Sequence, residues 1–200
     1  MDSVARIVSS MQAAAADCRL PVPSASSVKS IIGLSLGVAM PRLFGPRSDE
    51  EVEALIARYR EHYLFLDDTP TTLFDGVASV LQELSARGYL LAVATGKARA
   101  GLERVLTETK LQNCFHATRT PDESCSKPDP LMLSQILEEL AVPVTQALMV
   151  GDSTHDMEMA QRLGMDRAGI VWGAHDAMAL QQFSPRILLD DLHQLLVYLR

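Results

Sequence analysis

Two hundred residues are enough for one sizeable core, or for a medium α/β domain carrying a small helical insert. Apolar residues make up 48% of the chain and charged ones 22%, which describes a globular protein rather than a disordered tail. With 18 basic residues against 25 acidic ones, net −7, the charge excludes any electrostatic case for a nucleic acid or an anionic membrane as partner, and no apolar run approaches the roughly 18 to 20 residues a bilayer requires.

In chain order, Val4, Ile7, Val8 and Met11 are spaced for a helix from Ser3 to about Cys18, with Asp2 or Ser3 placed to cap it. Pro21 and Pro23 break the chain, and from Ser26 to Leu66 the pattern is helical throughout, punctuated by Gly33, Gly37, Pro41, Gly45 and Pro46. This makes a small all-helical unit. From Pro70 the character changes to short apolar runs alternating with amphipathic helices. A helix over Gly76 to Arg87 leads to a strand at Tyr89–Ala94, a helix at Ala98–Thr109, a strand at Phe115–Thr118 and a helix at Pro130–Leu140. Strand Ala147–Val150, helix Thr154–Leu163, strand Ala168–Trp172, a short helix after His175, strand Arg186–Leu189 and a helix near Leu192–Leu199 complete the series. Such alternation predicts a mostly parallel, Rossmann-like sheet with helices on both faces. Cys18, Cys114 and Cys125 are an odd set without metal-like spacing and read as the reduced thiols of a cytoplasmic protein.

In an open parallel sheet a ligand site forms at the carboxyl ends of the strands, where helix N-termini point at a bound anion. Thr95 ends one apolar run, Asp152 follows another, and Lys127 lies in a loop after a third, so topology predicts that they converge. Thr95 can donate its hydroxyl to a phosphate, with Gly96 letting the backbone approach; the pair also fits a plain strand end. Lys127, before Pro128 and the helix start Asp129-Pro130, can place an ammonium on a phosphate and a neighbouring carboxylate; it also fits an exposed turn lysine. Asp152 and Asp156 lie one helical turn apart after an apolar strand and suit a hard cation such as Mg²⁺, or else a helix cap and a first-turn acid. His155 and Lys97 read as solvent-facing.

Together Val93-Ala94-Thr95-Gly96-Lys97, Lys127-Pro128-Asp129-Pro130 and Gly151-Asp152-Ser153-Thr154-His155-Asp156 resemble the haloacid dehalogenase superfamily of hydrolases, in particular its phosphoglycolate-phosphatase-like branch. Gly76-Val77 and Gly169-Ile170-Val171-Trp172-Gly173 extend the similarity across the chain to Arg200. The resemblance implies a Mg²⁺-dependent phosphatase acting on a small phosphorylated metabolite, with Thr95, Gly96 and Lys127 on the phosphate and Asp152 and Asp156 on the metal. It implies a first helix over residues 1–18 leading from core to cap, a helical cap over 19–73 and an α/β core over 74–200. In that family an apolar strand opens the chain and runs into Asp-x-Asp-Gly-Thr, whose first Asp attacks phosphorus and whose second acts as general acid and base. Asp2-Ser3 matches only the tail of that pattern, so the expectation is a chain without its first, central strand and without its nucleophile, and therefore catalytically deficient. A mistaken start, a rearranged segment or a dimer through the gap would each account for that state. A phosphate-binding regulatory module, and phosphonatase, phosphomutase or dehalogenase relatives, are the alternatives.

Overall fold

The computed structural model describes residues 1–199; the last residue of the expected core, Arg200, lies outside the described residues. The first helix, α1 (Val4–Asp17), starts after Ser3, but neither Ser3 nor Asp2 caps it through a side chain. The expected continuous helical stretch resolves into α2 (Ala25–Lys29), α3 (Leu36–Phe44) and α4 (Asp49–Glu61), the last running into a π-helical turn at His62–Leu66. Ser48 and Glu51 close α4 with a reciprocal capping box, as an acidic start behind a serine predicts. These helices bury Met11, Ala14, Val28, Met40, Leu55, Tyr59 and Tyr63 in a core of their own. Asp2 N–H donates to Thr72 O at 2.7 Å, so the chain enters and leaves this helical unit side by side.

From α5 (Val77–Ala86) onward the structure alternates β1 (Ala92–Ala94), α6 (Arg99–Glu108), β2 (Ala117–Arg119), α7 (Leu131–Glu139), β3 (Leu148–Gly151), α8 (Thr154–Leu163), β4 (Asp166–Ile170), α9 (Ala177–Gln181), β5 (Ile187–Leu189) and α10 (Gln194–Tyr198). All strand pairs are parallel. The sheet, however, is in two parts, β1–β2 and β3–β4–β5, and β1 does not pair with β3. Helices bridge that division on both faces. On one side α5 and α10 pack their apolar residues against Leu91, Leu148 and Val150; on the other α7 and α8 pack against Ala94, Ala147 and Met149.

Between β1 and β3 runs a cleft of about 1090 Å³, lined by Ala92–Ala94 on one edge, Leu148–Gly151 on the other, and Val80, Leu84, Leu133 and Ile136 above and below. The inner edges of β1 and β3 therefore carry backbone groups with no strand partner, and Leu148, Met149 and Val150, which a covered parallel sheet would bury, are only half-buried. One-sided pairing explains why β1 is shorter than the expected Tyr89–Ala94: without a second neighbour only Ala92–Ala94 keep ladder geometry, in register with Ala117–Arg119. β2 and β4 are each displaced by about two residues from the apolar runs that announced them, because parallel register, not apolarity alone, sets which residues pair.

Candidate functional site

β1 ends at Ala94, and Thr95 N–H continues the ladder to Arg119 O at 3.1 Å, so the Thr95 side chain stands at the carboxyl edge of β1. Its Oγ1 accepts the Lys97 N–H at 3.2 Å, tightening the turn into α6. Gly96 is required here by close approach: a Cβ would lie 2.4 Å from Gly33 O and 2.7 Å from Leu34 O. The helical unit thus presses the backbone of Gly33–Leu34 onto the Thr95–Gly96 turn. The same loop reaches the far side of the site, since a Cβ on Gly33 would stand 3.0 Å from Ser153 Oγ, and Ser35 N–H donates to Ser126 Oγ at 2.9 Å.

Across the cleft, β3 ends at Gly151 and delivers Asp152. Ser153 caps α8 through a reciprocal box with Asp156: Ser153 Oγ accepts the Asp156 N–H, and Asp156 Oδ2 accepts the Ser153 N–H at 3.1 Å. Ser153, rather than Asp152, is the cap residue, which leaves the Asp152 carboxylate free for other work. Lys127 Nζ donates to Asp156 Oδ1 at 2.5 Å, with about 6% of the lysine side chain and 7% of the aspartate side chain exposed. Both Asp156 oxygens are therefore engaged, one by the ammonium and the other by the Ser153 N–H and hydroxyl. Lysine has three donors, so Lys127 keeps two for another acceptor.

The two carboxylates are driven in opposite directions. Burial works against charge on Asp156, but the Lys127 ammonium and the Ser153 hydrogen bonds outweigh it and hold the group below the ordinary carboxylate range. Asp152 is pushed above that range, by burial first and by the Asp156 charge second, against the Ala174 N–H bond and the Lys127 charge. Asp152 Oδ2 accepts that N–H at 2.9 Å, and its Oδ1 has no hydrogen bond among the described residues. Gly173 is needed for this fit, as a Cβ would fall 2.1 Å from Asp152 Oδ2.

An oxygen-only donor set with negative charge held at a cost suits a hard cation. Among the described residues no group of three or more His, Cys, Asp or Glu is poised around a metal. Mg²⁺ is commonly held by one or two carboxylates, water and substrate oxygens, and the Asp152–Asp156 pair fits that mode, with Asp152 presenting the open oxygen.

Thr95, Gly96, Lys127, Asp152 and Asp156 all line the one cleft at the strand ends. Two side chains expected to face solvent do not. His155 is 8% exposed, covered by the Gly33 turn, and its Nε2 is buried without a hydrogen-bond partner among the described residues. Lys97 Nζ turns inward to the Tyr63 hydroxyl at 2.8 Å. Two arginines of the helical unit differ from each other: Arg60 lines the cleft, whereas Arg58 is paired with Asp17 and Glu61 on the surface. Ser126 and Gly33 were not legible as site residues, because both act through a contact between the helical unit and the α/β layer.

A family model described as haloacid dehalogenase-like hydrolase matches residues 1–170. A protein of Dickeya dadantii named probable phosphatase IndB is 31% identical over 198 residues, covering 97% of this chain and 86% of its own. Pyrophosphatase PpaX of Bacillus anthracis is 31% identical over 165 residues, 82% of this chain and 76% of its own. The crystal structure of a predicted phosphoglycolate phosphatase from Haemophilus somnus superposes with a TM-score of 0.89 at 23% identity, covering all of this chain and 92% of that one, and so shares the fold. The chain belongs to the haloacid dehalogenase-like hydrolases.

Proposed function

We propose that this chain carries the phosphate and Mg²⁺ half of a phosphatase site of the phosphoglycolate-phosphatase-like type, acting on a small phosphorylated metabolite in the cytoplasm. The relatives named for phosphatase and pyrophosphatase activity support that reading. The observation that supports it is that one cleft is lined by a strand-end hydroxyl, a buried ammonium and a carboxylate pair. Thr95 Oγ1 and the free donors of Lys127 bind phosphate oxygens, and Asp156 fixes the ammonium in place. Asp152 and Asp156 hold Mg²⁺, which when bound supplies neutralising charge to the phosphate. The helical unit acts as the cap, its Gly33–Leu34 loop excluding water above Thr95.

A second reading rests on a specific observation. The carboxylates lining the cleft are Asp122, Asp152 and Asp156. Asp122 accepts the Arg99 N–H, Asp152 faces the cation position and Asp156 is ion-paired, so none of them is free to attack phosphorus. The chain as it stands would then bind phosphate without turning it over, as a recognition module. The two open strand edges facing an apolar cleft also support self-association through that gap.

Calorimetric titration with inorganic phosphate and Mg²⁺ tests the site under both readings. Binding should be dependent on Mg²⁺ and should weaken at least about tenfold in Lys127→Met, the loss of one charge-assisted hydrogen bond. Equal affinity in the wild type and the variant would remove Lys127 from the phosphate site.

A further inference from the structure

Tyr63, buried at the π-helical turn that ends the helical unit, gathers three cations around one ring: Arg6 at 5.4 Å, Lys97 at 4.9 Å and Arg104 at 5.0 Å from the centroid. An aromatic face stabilises a cation, but three of them also repel one another, and the cluster needs negative partners. The two arginines are held by backbone carbonyls and, for Arg104 alone, by a carboxylate. Arg6 Nε and Arg104 Nη1 both donate to Tyr63 O, at 3.0 and 3.2 Å, Arg6 reaches Thr69 O, and Glu108 stands 3.6 Å from Arg104 Nε. The nearby Asp67 is taken up by Ser9, Ser10 and the Thr69 N–H.

Lys97 differs. Its ammonium meets two neutral hydroxyls, Tyr63 at 2.8 Å and Ser3 at 3.4 Å, and no carboxylate within ion-pair distance among the described residues. It lines the same cleft as Thr95 and Lys127, and its backbone N–H already holds Thr95 Oγ1.

We infer that Lys97, aimed by the Tyr63 hydroxyl, is a specificity-determining residue that binds a second anionic group on the substrate, a carboxylate or a further phosphoryl group next to the phosphate. The inference rests on Thr95 and Lys127 being the phosphate site. Tyr63 belongs to the helical unit and Lys97 to the α/β layer, so the contact also ties recognition of that second charge to the docking of one on the other.

Three non-hydrolysable probes test it by calorimetry in Mg²⁺: methylphosphonate, with one anionic group, phosphonoacetate, which adds a carboxylate, and methylenediphosphonate, which adds a second phosphonate. The wild type should prefer at least one two-anion probe over methylphosphonate by about tenfold or more, the size of one charge-assisted contact. The probe that gains identifies the second group. Lys97→Met should bring that ratio to within about twofold of one, whatever it does to methylphosphonate itself, and Lys97→Arg should retain most of the preference. Tyr63→Phe, which keeps the ring between Arg6 and Arg104 and removes only the hydroxyl, should reduce the preference and serves as the second variant if Lys97→Met does not fold. A wild type without preference, or a preference that survives in Lys97→Met or in a folded Tyr63→Phe alone, overturns the inference. Failure of methylphosphonate to bind at all, with Lys127→Met no different, would instead overturn the phosphate site and this inference with it.

Discussion

Replacing Lys127 with methionine is expected to lower the unfolding free energy at neutral pH by about 3 to 5 kcal/mol, the usual cost of removing one partner from a buried ion pair. The cause is the Asp156 that stays behind, fully enclosed and keeping only its Ser153 hydrogen bonds. The double variant Lys127→Met/Asp156→Leu should recover a good part of the loss, since it leaves no unpaired charge. The pH dependence gives the sign. In the wild type Asp156 titrates below its unfolded value, so its contribution is present above the unfolded carboxylate pKa and is lost as pH falls through the folded one. In Lys127→Met the burial of Asp156 is opposed only by Ser153, its folded pKa moves up, and acid should stabilise the variant relative to neutral pH. Urea denaturation at about pH 7 and about pH 4.5 should therefore show the gap between the two proteins narrowing in acid. A gap independent of pH would mean that the pair is not what the lysine contributes. Asp152 runs the other way, its raised pKa contributing stability at low pH that is lost as pH rises; removing the Lys127 charge, which lowers it, pushes it further up and so narrows the gap in acid in the same direction as Asp156.

Hydrolysis of p-nitrophenyl phosphate by the 200-residue chain should remain at the no-enzyme background, even with saturating Mg²⁺. Phosphate monoesters are among the slowest of uncatalysed reactions, and enzymes supply up to about 10²¹-fold. In the proposed site Thr95 and Lys127 bind and polarise the ester, but among the described residues the cleft offers no carboxylate free to attack phosphorus. An extension ahead of Met1, which itself lines the cleft, that lays an apolar strand between β1 and β3 and ends in Asp-x-Asp-Gly-Thr should raise turnover by several orders of magnitude. It should also stabilise the fold, because each buried backbone group it satisfies is worth about 1 to 3 kcal/mol. Activity in the unextended chain would contradict this account of the missing attacking group, and silence in both proteins would favour the recognition module.

Topology gave the reason to expect Thr95, Lys127 and Asp152 on one edge of the sheet: Thr95 and Asp152 follow strand ends, and Lys127 lies in the loop between β2 and α7. Helix α8 spans Thr154–Leu163 as the spacing predicts, but its cap is Ser153 where the sequence pointed to Asp152. The division of the sheet was anticipated only through the family pattern, as nothing in the apolar spacing of β1 or β3 says which neighbour either will find. Lys97 and His155 were misread for one reason. Each is polar and sits near a helix start, where solvent is the ordinary expectation, and each is met by a residue of the helical unit, Tyr63 at the half-buried Lys97 and Gly33 at the buried His155. Contacts between units far apart in the chain leave no periodicity to read. The same holds for the cleft between β1 and β3, whose walls come from helices and strands spread along the chain.

The convergence of Thr95, Lys127 and Asp152 on one anion is most directly tested by a crystal structure of the chain soaked with tungstate and Mn²⁺, both visible by anomalous scattering. The account predicts a tungsten peak within hydrogen-bond reach of Thr95 Oγ1 and Lys127 Nζ and a manganese peak on Asp152. Tungstate bound elsewhere, with the strand-end rim bare, would contradict it.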